Sequence, residues 1–228
     1  MSHFAHVARV PGDPILGLLD AYRADPNPAK LDLGVGVYKD AQGLTPIPRA
    51  VKLAEQRLVD SEATKTYIGG HGAPEFGASL LRLVLGEGSA LLRDELAGAT
   101  QAPGGTGALR LAGEFIARNL PGRGIWLSDP TWPIHETIFA TCGLKVGHYP
   151  YVDADNQLQV EAMLAALAHV PKGDVVLLHA CCHNPTGFDL SADDWRRVLE
   201  VVKARELLPL IDFAYQGFGD GLAEDAWA

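Results

Sequence analysis

The chain has 228 residues, 47% hydrophobic and 21% charged, the balance of a globular protein that buries a core. A net charge of −9 with no basic run argues against nucleic acid as the main partner, and the apolar runs are too short to span a membrane. Three cysteines, two of them adjacent, make no disulfide framework, and no basic start followed by an apolar stretch opens the chain, so a cytoplasmic setting is expected.

Residues 1–13 read as a loose arm, and 15–24 as a short helix with Ile15, Leu18 and Leu19 on one face. Leu31 to Tyr38 reads as an apolar strand interrupted by Gly34 and Gly36. Helices are expected over 48–62, where Val51, Ala54 and Leu58 share a face, and over 74–85. From residue 98 the pattern alternates: strand 98–102, helix 105–119, strand 124–128, helix 131–142, strand 145–150, helix 159–169, strand 174–180, helix 192–206 and strand 208–213. Ser191 and Asp194 form a capping pair for the last helix. Near-continuous apolar strands alternating with helices predict an α/β fold, a mostly parallel sheet flanked by helices.

Ligands of such sheets bind beyond the carboxyl ends of the strands. There the sequence places Gly104-Gly105-Thr106-Gly107, Trp132, Asn184 and the pair Asp212 and Tyr215. Each has two readings. The glycine-rich turn suits an anion at a helix N-terminus, or is a tight turn only. Trp132 can stack on an aromatic ring or pack in the core. His135, three residues on, can serve chemistry or simply be hydrogen-bonded. Asn184 offers a donor and an acceptor to a ring oxygen, or is a turn residue before Pro185. Asp212 ends an apolar strand and needs a cationic or hydrogen-bonding partner, such as a protonated ring nitrogen, or caps the next segment. Cys181-Cys182-His183 lacks the spaced pairs of a zinc site and is read as buried small residues, so no metal is expected.

Taken together these runs resemble the class I aminotransferases of aspartate and aromatic amino acids, pyridoxal-phosphate enzymes of fold type I. The likeness begins at Asp13-Pro14-Ile15-Leu16-Gly17. It continues through Leu33-Gly34-Val35-Gly36-Val37-Tyr38, Thr64-Lys65-Thr66-Tyr67 and Pro103-Gly104-Gly105-Thr106-Gly107-Ala108-Leu109-Arg110. Ser128-Asp129-Pro130-Thr131-Trp132, the run from His179 to Gly187 and that from Asp212 to Phe218 complete it. The last six of these runs, in order, are specific where each alone is weak.

The resemblance implies a division into an arm (1–13), the start of a small domain (14–46) and a cofactor-binding large domain (47–228) that is incomplete at its C-terminal end. It implies that Gly104, Gly105 and Thr106 hold the cofactor phosphate, joined by Tyr67 from the neighbouring subunit of a homodimer. Trp132 stacks on the pyridine ring, Asn184 and Tyr215 bond its 3′-oxygen, Asp212 pairs with the pyridinium nitrogen, and His135 supports Asp212 from behind. Gly36, Trp132 and Asn184 lie near the substrate, an amino acid or a 2-oxo acid such as 2-oxoglutarate. The family's Schiff-base lysine lies beyond the Asp212–Phe218 run, and none of the seven lysines here matches it. The expectation is therefore the N-terminal part of an aminotransferase, inactive alone and prone to aggregate at an unpaired sheet edge. The alternatives are a non-catalytic module that binds pyridoxal phosphate or dimerises, and, less in keeping, a pyridoxamine-phosphate enzyme without the lysine. The wording of residues 67–76 leans toward aspartate as substrate.

Overall fold

The structure, a computed structural model, describes residues 5–6, 14–31 and 36–228. The chain divides after Thr66 into two compact units, so the expected boundary near residue 46 falls inside the first.

In the first unit, α1 spans Pro14–Ala24 and α2 spans Arg49–Ser61. The Lys30 ammonium donates to the Tyr22 and Asp25 carbonyls at 2.6 and 2.7 Å, placing a cation on the free carbonyls where α1 ends. The apolar stripe expected on α2 is present, but Val51 and Leu58 stay exposed and the helix buries no residue. The side chains of Ile15 and Leu19, most of the arm and residues 32–35 of the expected strand lie outside the described residues, and 36–38 join no strand.

The second unit runs through α3 (Pro74–Leu85), α4 (Ala90–Arg93), α5 (Gly104–Asn119), β1 (Gly124–Asp129), α6 (Ile134–Thr141), β2 (Lys145–Pro150), α7 (Val160–Leu167), β3 (Val175–His179), α8 (Ala192–Ala204) and β4 (Leu208–Asp212). The strands are parallel in the order β2-β1-β3-β4. Successive residues of β3 face opposite sides, as a pleated strand requires. Val175 and Leu177 join Ile125, Leu127, Ile116 and Phe139 under α5 and α6, whereas Val176 and Leu178 join Met163, Leu167, Val198 and Val202 under α7 and α8. The continuous apolar run of that strand thus reflects burial on both faces. The capping box Ser191–Asp194 starts α8 as expected. No helix among the described residues is long and apolar enough to cross a membrane.

Two glycines are set by packing. Gly147 stands opposite Trp126 in the β1–β2 register, and a Cβ on it would meet the indole at 2.8 Å. Gly113, buried in the middle of α5, lies where that helix meets Cys142 and Phe139.

One expected element is corrected. Residues 98–102 join no strand among the described residues. They are held instead by the loop before α3: Gln101 N–H donates to the His71 carbonyl at 2.9 Å and the Gln101 side chain accepts from Ala73 N–H at 3.0 Å. A strand needs a ladder partner, and local sequence does not report one.

Candidate active site

The carboxyl edge of the sheet gathers the polar residues singled out from the sequence. α5 enters β1 through a four-residue loop and packs back on the sheet, so its N-terminus lies at that edge. Gly104 has φ +69°, the left-handed region that favours glycine. Added Cβ atoms on Gly104 or Gly105 would meet nothing within 4 Å. No side chain caps the helix and its first turn holds no acidic residue. The free N–H groups of the first turn, with the Thr106 hydroxyl, therefore face open space suited to an anion.

β1 ends at Asp129, and Pro130, Thr131 and Trp132 lead into α6, which starts at Ile134 rather than 131 because Pro133 forms its N-cap. α6 buries His135 completely. Trp132 is half-buried against the α5–α6 side of the core and meets the His135 ring edge-on at 5.2 Å. It packs as a core residue in part and still presents surface.

A chain of hydrogen bonds then runs to Asp212, at the end of β4. Asn184 N–H donates to His179 Nδ1 at 3.1 Å. Burial holds the His179 imidazole down to about 4, so at neutral pH its single proton sits on Nε2, facing Thr131 Oγ1 at 3.4 Å. That hydroxyl donates to His135 Nδ1 at 2.8 Å, and His135 Nε2 donates to Asp212 Oδ2 at 2.9 Å. A backbone N–H can only donate, so it fixes the His179 tautomer at one end of the chain, and the Asp212 carboxylate, which can only accept, fixes the Nε2–H of His135 at the other. Burial pushes the Asp212 carboxyl up, but the His135 bond, the neighbouring imidazoles and the Ala214 N–H outweigh it and hold the group below the usual carboxylate range. Asp212 is thus a carboxylate with one oxygen committed to His135.

Behind this chain stand stacked rings. Tyr151 lies on His183 at 4.0 Å and His183 on His179 at 4.2 Å. His183 is anchored by Ser128 Oγ at 2.9 Å from Nε2 and by Thr186 Oγ1 at 2.9 Å from Nδ1, and burial takes it down to about 3. Both His183 ring nitrogens are engaged in these hydrogen bonds, and the buried Cys181 thiol is pushed up to about 12 by burial. The donors of His135, His179 and Asp212 do lie within 4.8 Å of one another, and the hydrogen-bond chain accounts for that clustering. Asn184 Nδ2 donates to the Tyr215 hydroxyl at 3.5 Å, bringing the two expected ring-oxygen ligands together.

The structure therefore joins Trp132, His135, Asn184, Asp212 and Tyr215, with Gly104–Thr106 at the same edge. Tyr67 is fully exposed and Gly36 is an exposed residue of the first unit. Sequence reasoning missed Thr131, His179, His183 and Asp189. The four-residue spacing of Thr131 and His135 was a signal for the first; His179 and Asp189 act through backbone N–H groups of the turn after β3, and His183 through a contact with Ser128, none of which carries a local period.

The sequence model of the family described as Aminotransferase class I and II matches residues 28–228. The chain belongs to this family. It is similar to the aromatic-amino-acid aminotransferase of Pseudomonas aeruginosa, 78% identical over 228 residues, covering 100% of this chain and 57% of that protein. It is 49% identical over 224 residues to the aspartate aminotransferase of Escherichia coli, covering 98% of this chain and 57% of that protein. Among solved structures, the aromatic-amino-acid aminotransferase of Burkholderia pseudomallei covalently bound to pyridoxal phosphate superposes with a TM-score of 0.94 at 45% identity, over 99% of this chain and 57% of that one. The chain thus spans little more than half the length of these relatives.

Proposed function

We propose that this chain is the pyridoxal-phosphate-binding part of an aminotransferase that moves an amino group between an amino acid and 2-oxoglutarate. The observation that carries the reading is Asp212, a carboxylate held at the sheet's carboxyl edge with one oxygen on His135. The residues fit the cofactor: an open helix N-terminus for phosphate, an indole for a flat ring, an amide and a phenol for a ring oxygen, and a carboxylate for a ring N–H. When bound, pyridoxal phosphate supplies a carbonyl carbon for the amino group and an electron-withdrawing ring.

The chain's own residues do the rest. Gly104, Gly105 and Thr106 hold the phosphate through backbone N–H groups and a hydroxyl. Trp132 orients the ring by stacking. Asn184 and Tyr215 donate to the ring oxygen. Asp212 keeps the ring nitrogen protonated, and His135 keeps Asp212 ionised by donating Nε2–H to it. Tyr67, exposed at the start of the second unit, reaches the phosphate held by a partner subunit, which makes the protein a homodimer. Gly36, Trp132 and Asn184 lie beside the substrate. An aromatic amino acid is favoured over the aspartate suggested by residues 67–76, on the 78% identity to an aromatic-amino-acid enzyme. A cytoplasmic protein fits three free thiols.

This stretch alone does not transaminate. The second unit's lysines, Lys145, Lys172 and Lys203, stand at the start of β2, before β3 and at the end of α8, all on the amino edge of the sheet. The test is titration of the purified chain with pyridoxal phosphate, followed by borohydride reduction and an assay for turnover. Binding is expected, weakened about tenfold or more in Asp212→Ala as a charge-assisted bond is lost, with neither covalent retention nor turnover. Equal affinity in the variant, or cofactor fixed to a lysine of this chain, refutes the reading.

A further inference from the structure

We propose that Asp189 is a positioning residue, whose carboxylate sets the turn that presents Asn184 and thereby fixes the His179 tautomer at the head of the hydrogen-bond chain that leads to Asp212. The turn after β3 spends three consecutive backbone N–H groups on side-chain acceptors. Cys182 N–H donates to Asp189 Oδ2 at 2.7 Å and His183 N–H to Asp189 Oδ1 at 2.9 Å. The next, Asn184 N–H, goes to His179 Nδ1 at 3.1 Å. Cys182 has φ +50°, a left-handed conformation uncommon for a residue with a Cβ. Such a conformation persists where its surroundings over-determine it. Here the two oxygens of one carboxylate do so, gripping the amides on either side of the Cys182 Cα–C bond.

Without that grip Cys182 is free to return to an ordinary φ, and the peptide planes after it rotate. Asn184 N–H then swings off His179 Nδ1, and the donor that heads the chain is lost. His179 no longer has a reason to keep its proton on Nε2, so the Thr131 hydroxyl loses its fixed donor, while His135 stays oriented by Asp212. The Asn184 contact to the Tyr215 hydroxyl at 3.5 Å goes with it. The rest of the region has its own anchors: His183 keeps Ser128, Thr186 and the Tyr151 stack. Asp189 is itself exposed, so its removal opens no hole in the core. The damage is therefore to orientation, not to the fold.

The test compares Asp189→Asn and Asp189→Glu with a control, Asp153→Asn. Asp153 does the same kind of work in the turn after β2, accepting from Asp155 N–H at 3.0 Å and Gln157 N–H at 2.8 Å. In the 228-residue chain, 15N NMR of the imidazoles should show His179 with its proton on Nε2. Asp189→Asn, which turns one acceptor into a donor, should give a mixture of tautomers and raise hydrogen exchange at the Asn184 amide by about tenfold or more. Exchange in β1 and α8 should not change. Asp189→Glu should restore part of the tautomer preference, and Asp153→Asn should alter neither signal. A His179 that keeps its tautomer in Asp189→Asn, or loss of signals across the whole unit, overturns the proposal.

A second measurement rests on the cofactor reading above. In the full-length protein loaded with pyridoxal phosphate, Asp189→Asn should move the pH midpoint of cofactor absorption and Asp153→Asn should not. A changed tautomer with an unmoved midpoint supports the positioning role and counts against Asn184 as a cofactor ligand, so the two readings fail separately.

Discussion

Replacing Gly113 by alanine sets two physical effects against each other. Propensity alone has the change stabilise α5, since glycine in a helix interior costs about 1 kcal/mol relative to alanine. Packing opposes it. The new Cβ would stand 2.7 Å from Cys142 Sγ and 3.2 Å from Phe139 Cδ1. The first distance is roughly 1 Å inside the optimum for non-bonded atoms. Phe139 is fully buried and cannot withdraw, and the partly buried Cys142 thiol must turn away from its 3.8 Å contact with the Arg110 carbonyl. Overpacking a filled site costs about 1–3 kcal/mol, which leaves a net loss of up to about 2 kcal/mol. In a Cys142→Ala background the sulfur is gone and the substitution should turn neutral or stabilising. Urea unfolding of the four proteins in this cycle should give a coupling of about 1 kcal/mol or more. The substitution also pushes α5, which carries Gly104–Thr106, away from α6, which carries His135, so cofactor affinity should fall with it. A Gly113→Ala protein more stable than its parent, or a coupling near zero, refutes the packing argument.

Gly105→Val should fold as well as the parent, because its Cβ meets nothing within 4 Å; it should lose cofactor affinity by about tenfold or more as the anion is kept from the helix N–H groups. Equal affinity by fluorescence titration would place the phosphate elsewhere. Burial holds His179 at about 4 and His183 at about 3, below the ~6.5 of an unfolded histidine. Their stabilising effect is therefore complete above about pH 6.5 and lost as pH falls through the folded values, at up to ~1.4 kcal/mol per pH unit for each. Urea midpoints should drop from pH 7 to pH 5, and a flat profile contradicts the assignment. Asp225, whose carboxylate accepts from the N–H groups of Gly217, Gly219, Asp220 and Gly221, pins the loop that follows Tyr215. Asp225→Ala should open residues 216–221 to limited proteolysis, and continued resistance would show the loop held by other means.

Much of the second unit was legible because its signals are local. The apolar runs of β1 and β3, the stripe of α8 and the Ser191 cap each lie within a few residues, and burial on both faces follows from the βα alternation. The extended segment 98–102 was misread because pairing is not local, and α4 was missed because four residues hold too little pattern. At the site, Asp212 was found from the cost of a carboxylate in an apolar strand, and His135 from its place beside Trp132. His179 and Asp189 could not be found that way. Each matters through a backbone N–H five to seven residues away in the turn after β3, a stretch with no helical or strand period to mark it.

The column of Tyr151, His183 and His179 has a consequence for precision. Stacked, largely buried rings, with both His183 nitrogens bonded, form a backing that does not yield when the residues in front of it are pressed. The groups from Asn184 to Asp212 are therefore registered against a fixed datum, and a molecule that meets them must conform to their spacing rather than reshape it.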